Sequence, residues 1–276
     1  MDLLTFAKAC GVMMEHVPPI GVWRRFPTES HPRKRNGAVK FMGDHAFVCD
    51  WAAGSDVHVW KADESVVIDR EKMRRMAMEA KRKIAEDQRR AAAKAAWILG
   101  QCDVAKHQYL KDKGFPDEYG SVWVQEGVQL LVIPMRISGS LVGCQLIKPD
   151  GEKKFLYGQR TGGATFTFDN KGPHVLCEGF ATALSVRAAL KAIKRRYTLH
   201  VCFSAGNMEK VAVTLPRGLV IADNDRSATG EQTAKKIGWQ YFMPPDQGQD
   251  FNDFHQKVGL FRSSQALAKA LATLQP

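Results

Sequence analysis

Strand-like and helix-like segments alternate in the stretch that decides the fold. It reads HVLCEGFATALSVRAALKAI (174–193), then HVCFSAGNMEKVAVTL (200–215) and GLVIADNDRSATGEQTAKKIGWQYFMPP (218–245). Apolar strands that alternate with helices are typical of a largely parallel sheet covered on both faces. We therefore predict an α/β domain with a largely parallel sheet at residues 171–276, which ends in a C-terminal helix.

Acidic residues follow the predicted strands. Glu178 comes directly after the first strand, and Asp223 and Asp225 come directly after the third. Ligand sites of such sheets lie beyond the carboxyl ends of the strands, so we expect the three carboxylates at one edge. Clustered carboxylates repel one another unless a cation is present, and Mg²⁺ prefers oxygen ligands. Asp250 and Asp253 follow the fourth strand and are candidates for a second metal position, as in two-ion phosphoryl transfer.

The segments CEGFATALS and VIADNDRSATGEQTA resemble the motifs of the Toprim superfamily, which bacterial-type primases, type IA and II topoisomerases and some nucleases share. The resemblance implies a Rossmann-like Toprim fold and a divalent metal, Mg²⁺ or Mn²⁺. It implies catalytic roles for Glu178 as metal ligand and general acid/base, and for Asp223 and Asp225 as metal ligands. The QDFND segment (249–253) looks like the additional acidic motif of primases. Replicative primases often carry another acid four residues after the glutamate, where this chain has Thr182.

The region at residues 100–170 is predicted to be a basic α+β subdomain. Strand-like runs at 129–135, 141–147 and 154–157 are separated by turn signals at Gly139 and Asp150-Gly151, which indicates an antiparallel sheet.

The segment LLVIPMRISGSLVGCQLIKPDGEKKFLYG (130–158) resembles the basic subdomain that precedes Toprim in bacterial-type primases. Arg136 and Lys154 match its basic positions, which implies contacts with template or nucleotide phosphates. We add Lys153 and Arg160 to this predicted nucleotide- and template-binding group. HQYLKDKG (107–114) and PRKRNG (32–37) also look like the Toprim primases of phages and plasmids, including those fused to helicases.

Residues 1–65 are predicted to form a small, basic, β-rich module. Asn36-Gly37 is a hairpin signal, and alternating runs at 38–42, 46–51 and 57–60 predict strands. Arg33, Lys34 and Arg35 are candidate DNA-binding residues. Basic residues interleaved with aromatic ones can bind phosphates by charge and bases by stacking. The alternative is a solvated basic hairpin around a small aromatic core.

Primases usually carry a zinc ribbon before the catalytic core. Here the available side chains are His31, His45, Cys49 and His58, and their spacing does not match paired zinc ligands. We expect a module without zinc.

A long charged helix is predicted at residues 66–99. The segment from 69 to 97 contains no Gly or Pro and is rich in Ala, Glu, Lys and Arg, which are strong helix formers. Its apolar positions, Met73, Met76, Ala80, Ile84 and Ala91, recur at helical spacing. We expect part of one face to pack and the remaining, basic surface to be solvated, with nucleic-acid contact as the alternative.

The charge balance favours a polyanionic partner. The 276 residues carry a formal net charge of +11, with a pI near 9.4. Nucleic acid is the leading candidate, although a basic protein can be merely soluble. The six cysteines are scattered, which indicates reduced thiols and a cytoplasmic location. The sequence shows neither a signal-peptide pattern nor an apolar stretch long enough to span a membrane, so we expect neither secretion nor membrane spanning.

Together these features predict a DNA primase that makes short RNA primers on single-stranded DNA from nucleoside triphosphates, in phage or plasmid replication. The rivals are a Toprim nuclease and a non-catalytic single-strand-binding accessory protein. No tyrosine stands out as a topoisomerase nucleophile. A Gly-x-x-x-x-Gly-Lys-Ser/Thr phosphate loop is absent, so we expect any replicative helicase to be a separate partner.

Overall fold

The structure, a computed structural model, describes residues 1–51, 53–54, 56–62 and 70–272. The chain divides between Glu86 and Asp87 into two compact units. The four-part division into residues 1–65, 66–99, 100–170 and 171–276 stays a prediction. None of the helices in the described ranges is long and apolar enough to cross a membrane.

The first unit is built around a four-stranded antiparallel sheet. It begins with helix α1 (Leu3–Ala9), where the Thr5 backbone N–H donates to Asp2 Oδ1 over 2.9 Å. The strands neighbour one another in chain order: β1 (Trp23–Phe26), β2 (Gly37–Phe41), β3 (His45–Asp50) and β4 (His58–Lys61). A small core lies between α1 and one face of this sheet, formed by Leu3, Ala7, Val12, Val39 and Val48. The predicted β-rich module is therefore confirmed.

The hairpin predicted at Asn36-Gly37 is wrong. The turn between β2 and β3 lies at residues 42–44, where Gly43 has φ of 107°. Gly37 is instead the first residue of β2 and pairs with Phe26. A Cβ on Gly37 would lie 2.7 Å from Val12 Cγ1. The glycine permits close packing, which an Asn-Gly turn signal does not distinguish from a tight turn.

One long helix, α2 (Arg70–Gly100), follows as predicted and continues past the expected end. Its start at residues 66–69 and the side chain of Met73 lie outside the described part of the chain. Met76 and Ile84 are exposed, contrary to the predicted apolar stripe. Among the described side chains of α2, the buried ones are Ala91, Ala95 and Ile98, in its C-terminal part.

The second unit contains an antiparallel sheet whose five strands neighbour one another in chain order. Its elements are β5 (Asp103–Ala105), α3 (Gln108–Asp112), β6 (Gly120–Gln125), β7 (Val128–Ile137), β8 (Ser140–Ile147) and β9 (Lys153–Phe155). Gly139 and Gly151 lie in the turns that flank β8, with φ of 81° and 88°. The predicted antiparallel sheet and its two turns are confirmed.

A second five-stranded sheet, largely parallel, follows in the same unit. Its elements are β10 (Phe166–Asp169), β11 (His174–Cys177), α4 (Phe180–Ala192), β12 (Thr198–Val201), α5 (Ala205–Ala212), β13 (Leu219–Ile221), α6 (Thr229–Ile237), β14 (Gln240–Phe242) and α7 (Phe251–Ala272). The strand order is β10-β12-β11-β13-β14, and only β10 runs antiparallel to its neighbour. The predicted α/β architecture is confirmed, and the edge strand β10 is an addition to it.

Helices cover both faces of this sheet. On one face, α4 and α7 pack into a core that also includes residues of the antiparallel sheet, such as Leu131 and Ile133. On the other face, α5 and α6 enclose a separate core. The amide of Asn252 in α7 donates to the Lys113 carbonyl over 2.8 Å and to Ser185 Oγ over 2.9 Å. The two sheets of this unit therefore share one core, and the bond from Asn252 to Lys113 links α7 to the loop after α3.

Candidate active site

Glu178 follows β11 directly, at the carboxyl edge of the parallel sheet. Its backbone carbonyl accepts a hydrogen bond of 2.8 Å from the Phe203 N–H, which ties it to the neighbouring strand end. Burial raises the pKa of the Glu178 carboxyl, and the nearby Asp225 adds to this rise. Lys153 and the Ala205 backbone N–H act in the opposite direction. The structure therefore places Glu178 near both a cationic group and other carboxylates.

Asp223 follows β13 and is the most strongly perturbed carboxyl at this edge. Burial, followed by the charges of Glu178, Asp250 and Asp225, raises its pKa to about 7. Its Oδ1 atom is buried and has no hydrogen-bond partner among the described residues. Gly230 of α6 packs directly onto it, since a Cβ there would lie 2.1 Å from the Asp223 carbonyl oxygen. A buried acceptor without a partner requires an explanation, and a bound cation would be one.

Asp225 has a different environment from Asp223. Its carboxylate accepts hydrogen bonds from the Ser227 hydroxyl, the Thr229 N–H over 3.2 Å and the Gly230 N–H over 3.0 Å. Burial alone would raise its pKa, but these hydrogen bonds lower it below the usual value. Asp225 is therefore held as an oriented carboxylate at the start of α6, where the helix dipole also favours negative charge.

Asp250 is brought to this edge by backbone pairing. The Asn224 N–H donates to the Gln249 carbonyl over 3.0 Å. Asp250 also caps α7, because its Oδ1 accepts a 2.8 Å bond from the Asp253 N–H. Asp253 Oδ2 accepts in return from the Asp250 N–H over 3.3 Å. These reciprocal bonds form a capping pair, which gives Asp253 a structural role at the helix terminus.

Lys153 of β9 is the cation that acts on these carboxylates. Its side chain reaches solvent, yet the protein atoms around the ammonium group and the neighbouring Lys113 lower its pKa. Asp250, Glu178 and Asp223 oppose that shift, in this order. We call Glu178, Asp223, Asp225 and Asp250, together with Lys153, the acidic edge. It combines groups from both sheets of the second unit.

The other predicted phosphate-binding residues lie elsewhere. Lys154 forms an ion pair of 2.9 Å with Glu152. Arg136 and Arg160 line a separate cleft. The resemblance indicated Lys154 and we only added Lys153 to it, whereas in the structure it is Lys153 whose pKa the carboxylates of the edge affect.

The three candidate DNA-binding residues belong to the first unit. Arg33, Lys34 and Arg35 are exposed in the connection between β1 and β2. On the same sheet, the rings of Trp23 and Phe47 lie 6.4 Å apart. These features present positive charge and aromatic rings on the surface of this unit.

A divalent metal fits the donor chemistry of the acidic edge. Its candidate ligands are carboxylates, and the buried Asp223 Oδ1 lacks a partner within the described ranges. Hard cations such as Mg²⁺ prefer oxygen ligands of this type. No set of three His, Cys, Asp or Glu side chains among the described residues is arranged to hold a metal ion. The metal and the ligand roles of these residues therefore remain predictions.

Residues 174–260 match a family model described as the Toprim domain. This part of the chain is therefore a Toprim domain, and the resemblance predicted from its motifs is confirmed. The matched segment runs from β11 into α7 and includes all four carboxylates of the acidic edge. Toprim domains generally bind divalent metal ions.

Two solved structures from bacteriophage T7 are similar to this chain. One shows the lagging-strand DNA polymerase interacting with primase domains of two gp4 subunits bound to an RNA/DNA hybrid and dTTP. It is 13% identical, covers 63% of this chain and 94% of that chain, and has a TM-score of 0.45. The other is the primase fragment of the primase-helicase protein, at 13% identity, 59% and 69% coverage and a TM-score of 0.41. Likenesses at this level assign no function.

Proposed function

We propose that this protein is a DNA primase that synthesises short RNA primers on single-stranded DNA by metal-dependent nucleotidyl transfer. The observation that carries the proposal is the acidic edge, where Lys153 from the preceding sheet interacts electrostatically with carboxylates of the Toprim domain. Carboxylates suit a metal ion, and a lysine beside them suits the phosphates of a metal-bound nucleoside triphosphate. The setting we infer is phage or plasmid replication in the cytoplasm of a bacterial or phage-infected cell.

Each residue of the edge receives a role in this reaction. Glu178, Asp223 and Asp225 would hold Mg²⁺ or Mn²⁺, with Asp250 and Asp253 as candidates near a second position. The metal, when bound, neutralises charge on the phosphates and orients them. Glu178 would accept the proton of the attacking hydroxyl. Lys153 Nζ would donate to phosphate oxygens as charge develops on them.

Contacts with the template would come from the basic residues outside the edge. Arg136, Lys154 and Arg160 are proposed to contact template or nucleotide phosphates. In the first unit, Arg33, Lys34 and Arg35 would bind the DNA backbone, and exposed rings such as Trp23, which is 45% exposed, would stack on unpaired bases. A separate replicative helicase is the proposed protein partner.

The test is a primer-synthesis assay with the full chain, single-stranded DNA, labelled ribonucleotides and Mg²⁺ or Mn²⁺. Glu178→Gln and Asp223→Asn are compared with Asp246→Asn, which removes an exposed carboxylate paired with Lys257. We expect short, template-dependent oligoribonucleotides from the wild type and from Asp246→Asn. Both edge variants are expected to lose them.

The same gel, together with a measurement of single-strand binding, distinguishes the rival functions. Metal-dependent degradation of nucleic acid without synthesis, lost in Glu178→Gln, would identify a nuclease instead. Binding of single strands with neither synthesis nor degradation, unchanged in both edge variants, would identify a non-catalytic accessory protein.

A further inference from the structure

A second charged site lies in the same unit. A cleft of about 700 Å³ opens between the β7–β8 turn, the loop at residues 160–165 and helix α5. Three of its lining residues are cations, Arg136, Arg160 and Lys210, and its lining includes no carboxylate. None of the residues of the acidic edge lines it. We call this site the cationic cleft.

The cations of the cleft are available to a ligand. Arg160 and Lys210 are both exposed, and neither forms an ion pair with any residue in the described ranges. Arg136 is also exposed, and its Nη1 donates to the Gly139 carbonyl over 3.0 Å. The other N–H groups of the Arg136 guanidinium have no hydrogen-bond partner among the described residues. Like charges gathered without counter-charges create a local positive potential that attracts anions.

The loop that forms one wall is held in place by Asn207. The Gly163 N–H donates to Asn207 Oδ1 over 2.6 Å. Asn207 Nδ2 donates in turn to the carbonyls of Ala164 and Cys202, each over 2.8 Å. Lys210 lies over the same loop, since its Nζ is 3.5 Å from where a Cβ on Gly162 would stand. The wall is therefore preorganised, which lowers the entropic cost of binding a ligand.

The lining indicates which anion the cleft suits. No Phe, Tyr or Trp lines it, so it has no aromatic ring on which a base could stack. Its histidine, His200, is already engaged with Thr167 and His174, over 3.0 Å each. Cations without a base-binding surface favour the sugar-phosphate backbone of a strand over a free nucleotide.

We propose that the cationic cleft binds the phosphate backbone of a single-stranded nucleic acid, without sequence preference, as a site distinct from the acidic edge. Lys210, from the Toprim domain, takes part alongside Arg136 and Arg160. The proposal rests on the proposed function, because the template of a primase is the strand that would occupy the cleft. Binding here requires neither metal nor nucleotide.

The test measures binding of the full chain to a fluorescent single-stranded oligodeoxynucleotide of mixed sequence by anisotropy, without metal, over a range of salt concentrations. Arg160→Gln/Lys210→Gln is compared with Lys191→Gln/Arg195→Gln, which removes two exposed charges at the end of α4. Losing two phosphate contacts reduces the magnitude of the salt slope by about 1.4, and we expect affinity to fall about tenfold. The control variant is expected to change affinity by less than about twofold, as a long-range charge effect does in salt.

Two results would overturn the proposal. Equal losses in the two double variants would mean that net charge alone binds the strand. If Arg160→Gln/Lys210→Gln lost binding to a fluorescent ATP analogue in Mg²⁺ but kept strand binding, the cleft would hold a free nucleotide instead. The single variants Arg160→Gln and Lys210→Gln repeat the test if the double variant has a lowered melting temperature.

A further arm separates this proposal from the proposed function. Glu178→Gln is expected to bind the strand as the wild type does. If neither the wild type nor any variant makes primers while cleft-dependent strand binding persists, the proposed function fails. The proposal for the cationic cleft is then retained. If primers are made but Arg160→Gln/Lys210→Gln binds the strand normally, the cleft proposal fails alone.

Discussion

The acidic edge and the cationic cleft lie in the same unit but hold their charges in different ways. At the edge, burial and neighbouring carboxylates raise the pKa of Asp223 to about 7, and Lys153 offsets only part of this effect. In the cleft, Arg136, Arg160 and Lys210 are exposed. Charges removed from water cost stability until a counter-ion arrives, whereas exposed charges stay solvated. The edge is thus suited to a tightly held cation and the cleft to a loosely held polyanion.

The largest expected effect concerns Asp223 and tests whether its buried carboxylate is required for synthesis and destabilises the fold without metal. Asp223→Asn removes a buried, repelled carboxylate, so we expect primer synthesis to fall by at least about a thousandfold. In metal-free buffer the same variant is expected to have a higher melting temperature than the wild type. Each kcal/mol of repulsion that is relieved raises it by about 2–4 °C. Addition of Mg²⁺ should raise the melting temperature of the wild type more than that of the variant, because bound ligand stabilises the folded state.

Asp246→Asn is the matched control for both measurements. It removes an exposed carboxylate and should change neither synthesis nor the metal-free melting temperature. If Asp223→Asn melted at a lower temperature than the wild type in metal-free buffer, repulsion between the carboxylates of the acidic edge would not be destabilising the fold.

The next effect separates two adjacent lysines. Lys153→Met removes the cation that faces the carboxylates, and we expect primer synthesis to fall about tenfold to a hundredfold, with a raised KM for nucleotide. Lys154→Met removes a lysine that is paired with Glu152 at the surface and would contact phosphates only outside the edge, so we expect a smaller loss of about threefold. Steady-state kinetics that show equal losses in the two variants would remove Lys153 from the proposed site.

A third prediction concerns the wall of the cleft. Asn207→Ala leaves three hydrogen bonds unmade, two of them buried, and we expect it to lower the free energy of unfolding by about 2–4 kcal/mol. It should also weaken strand binding, although no charge is removed. Urea denaturation followed by circular dichroism measures the first effect, with the exposed Asn170→Ala as control. A loss below about 0.5 kcal/mol would show that the loop does not depend on Asn207.

The smallest expected effect extends the comparison to the first unit, where positive charge is accompanied by exposed rings. Trp23→Ala should weaken single-strand binding about fivefold, because one stacked base is lost. Trp23→Phe keeps a ring and should bind nearly as the wild type does. Anisotropy that gives the same affinity for Trp23→Ala and Trp23→Phe would exclude stacking at this position.

Some local patterns predicted structure correctly and others did not. The apolar strands before Glu178 and Asp223 were predictable, since buried parallel strands require continuous apolar runs. The edge strand β10 was not, because its sequence, FTFD, becomes a strand by pairing with β12 in antiparallel register. The Asn36-Gly37 signal was wrong because a glycine required for packing is identical in sequence to one required for a turn.

The candidate site was likewise only partly predictable. The acidic residues were found because each follows a strand whose end lies at a known edge. The resemblance selected Lys154, but the carboxylates act on Lys153. Adjacent residues of a strand point to opposite faces, and the sequence does not say which face lies toward the carboxylates. Lys210 was missed because a single lysine on a helix resembles any solvated charge.

The sequence by itself determined the α/β alternation, the Toprim domain and the positions of Glu178, Asp223 and Asp225 at strand ends. These depend on local periodicity and on the rule that parallel strands end at a common edge. Only the tertiary structure decided that Lys153 meets these carboxylates, that Asp250 and Asp253 cap α7, and that Arg136, Arg160 and Lys210 share a cleft. These relations join residues far apart in the chain, and they arise from packing between the two sheets and from side-chain contacts, which local sequence patterns do not encode.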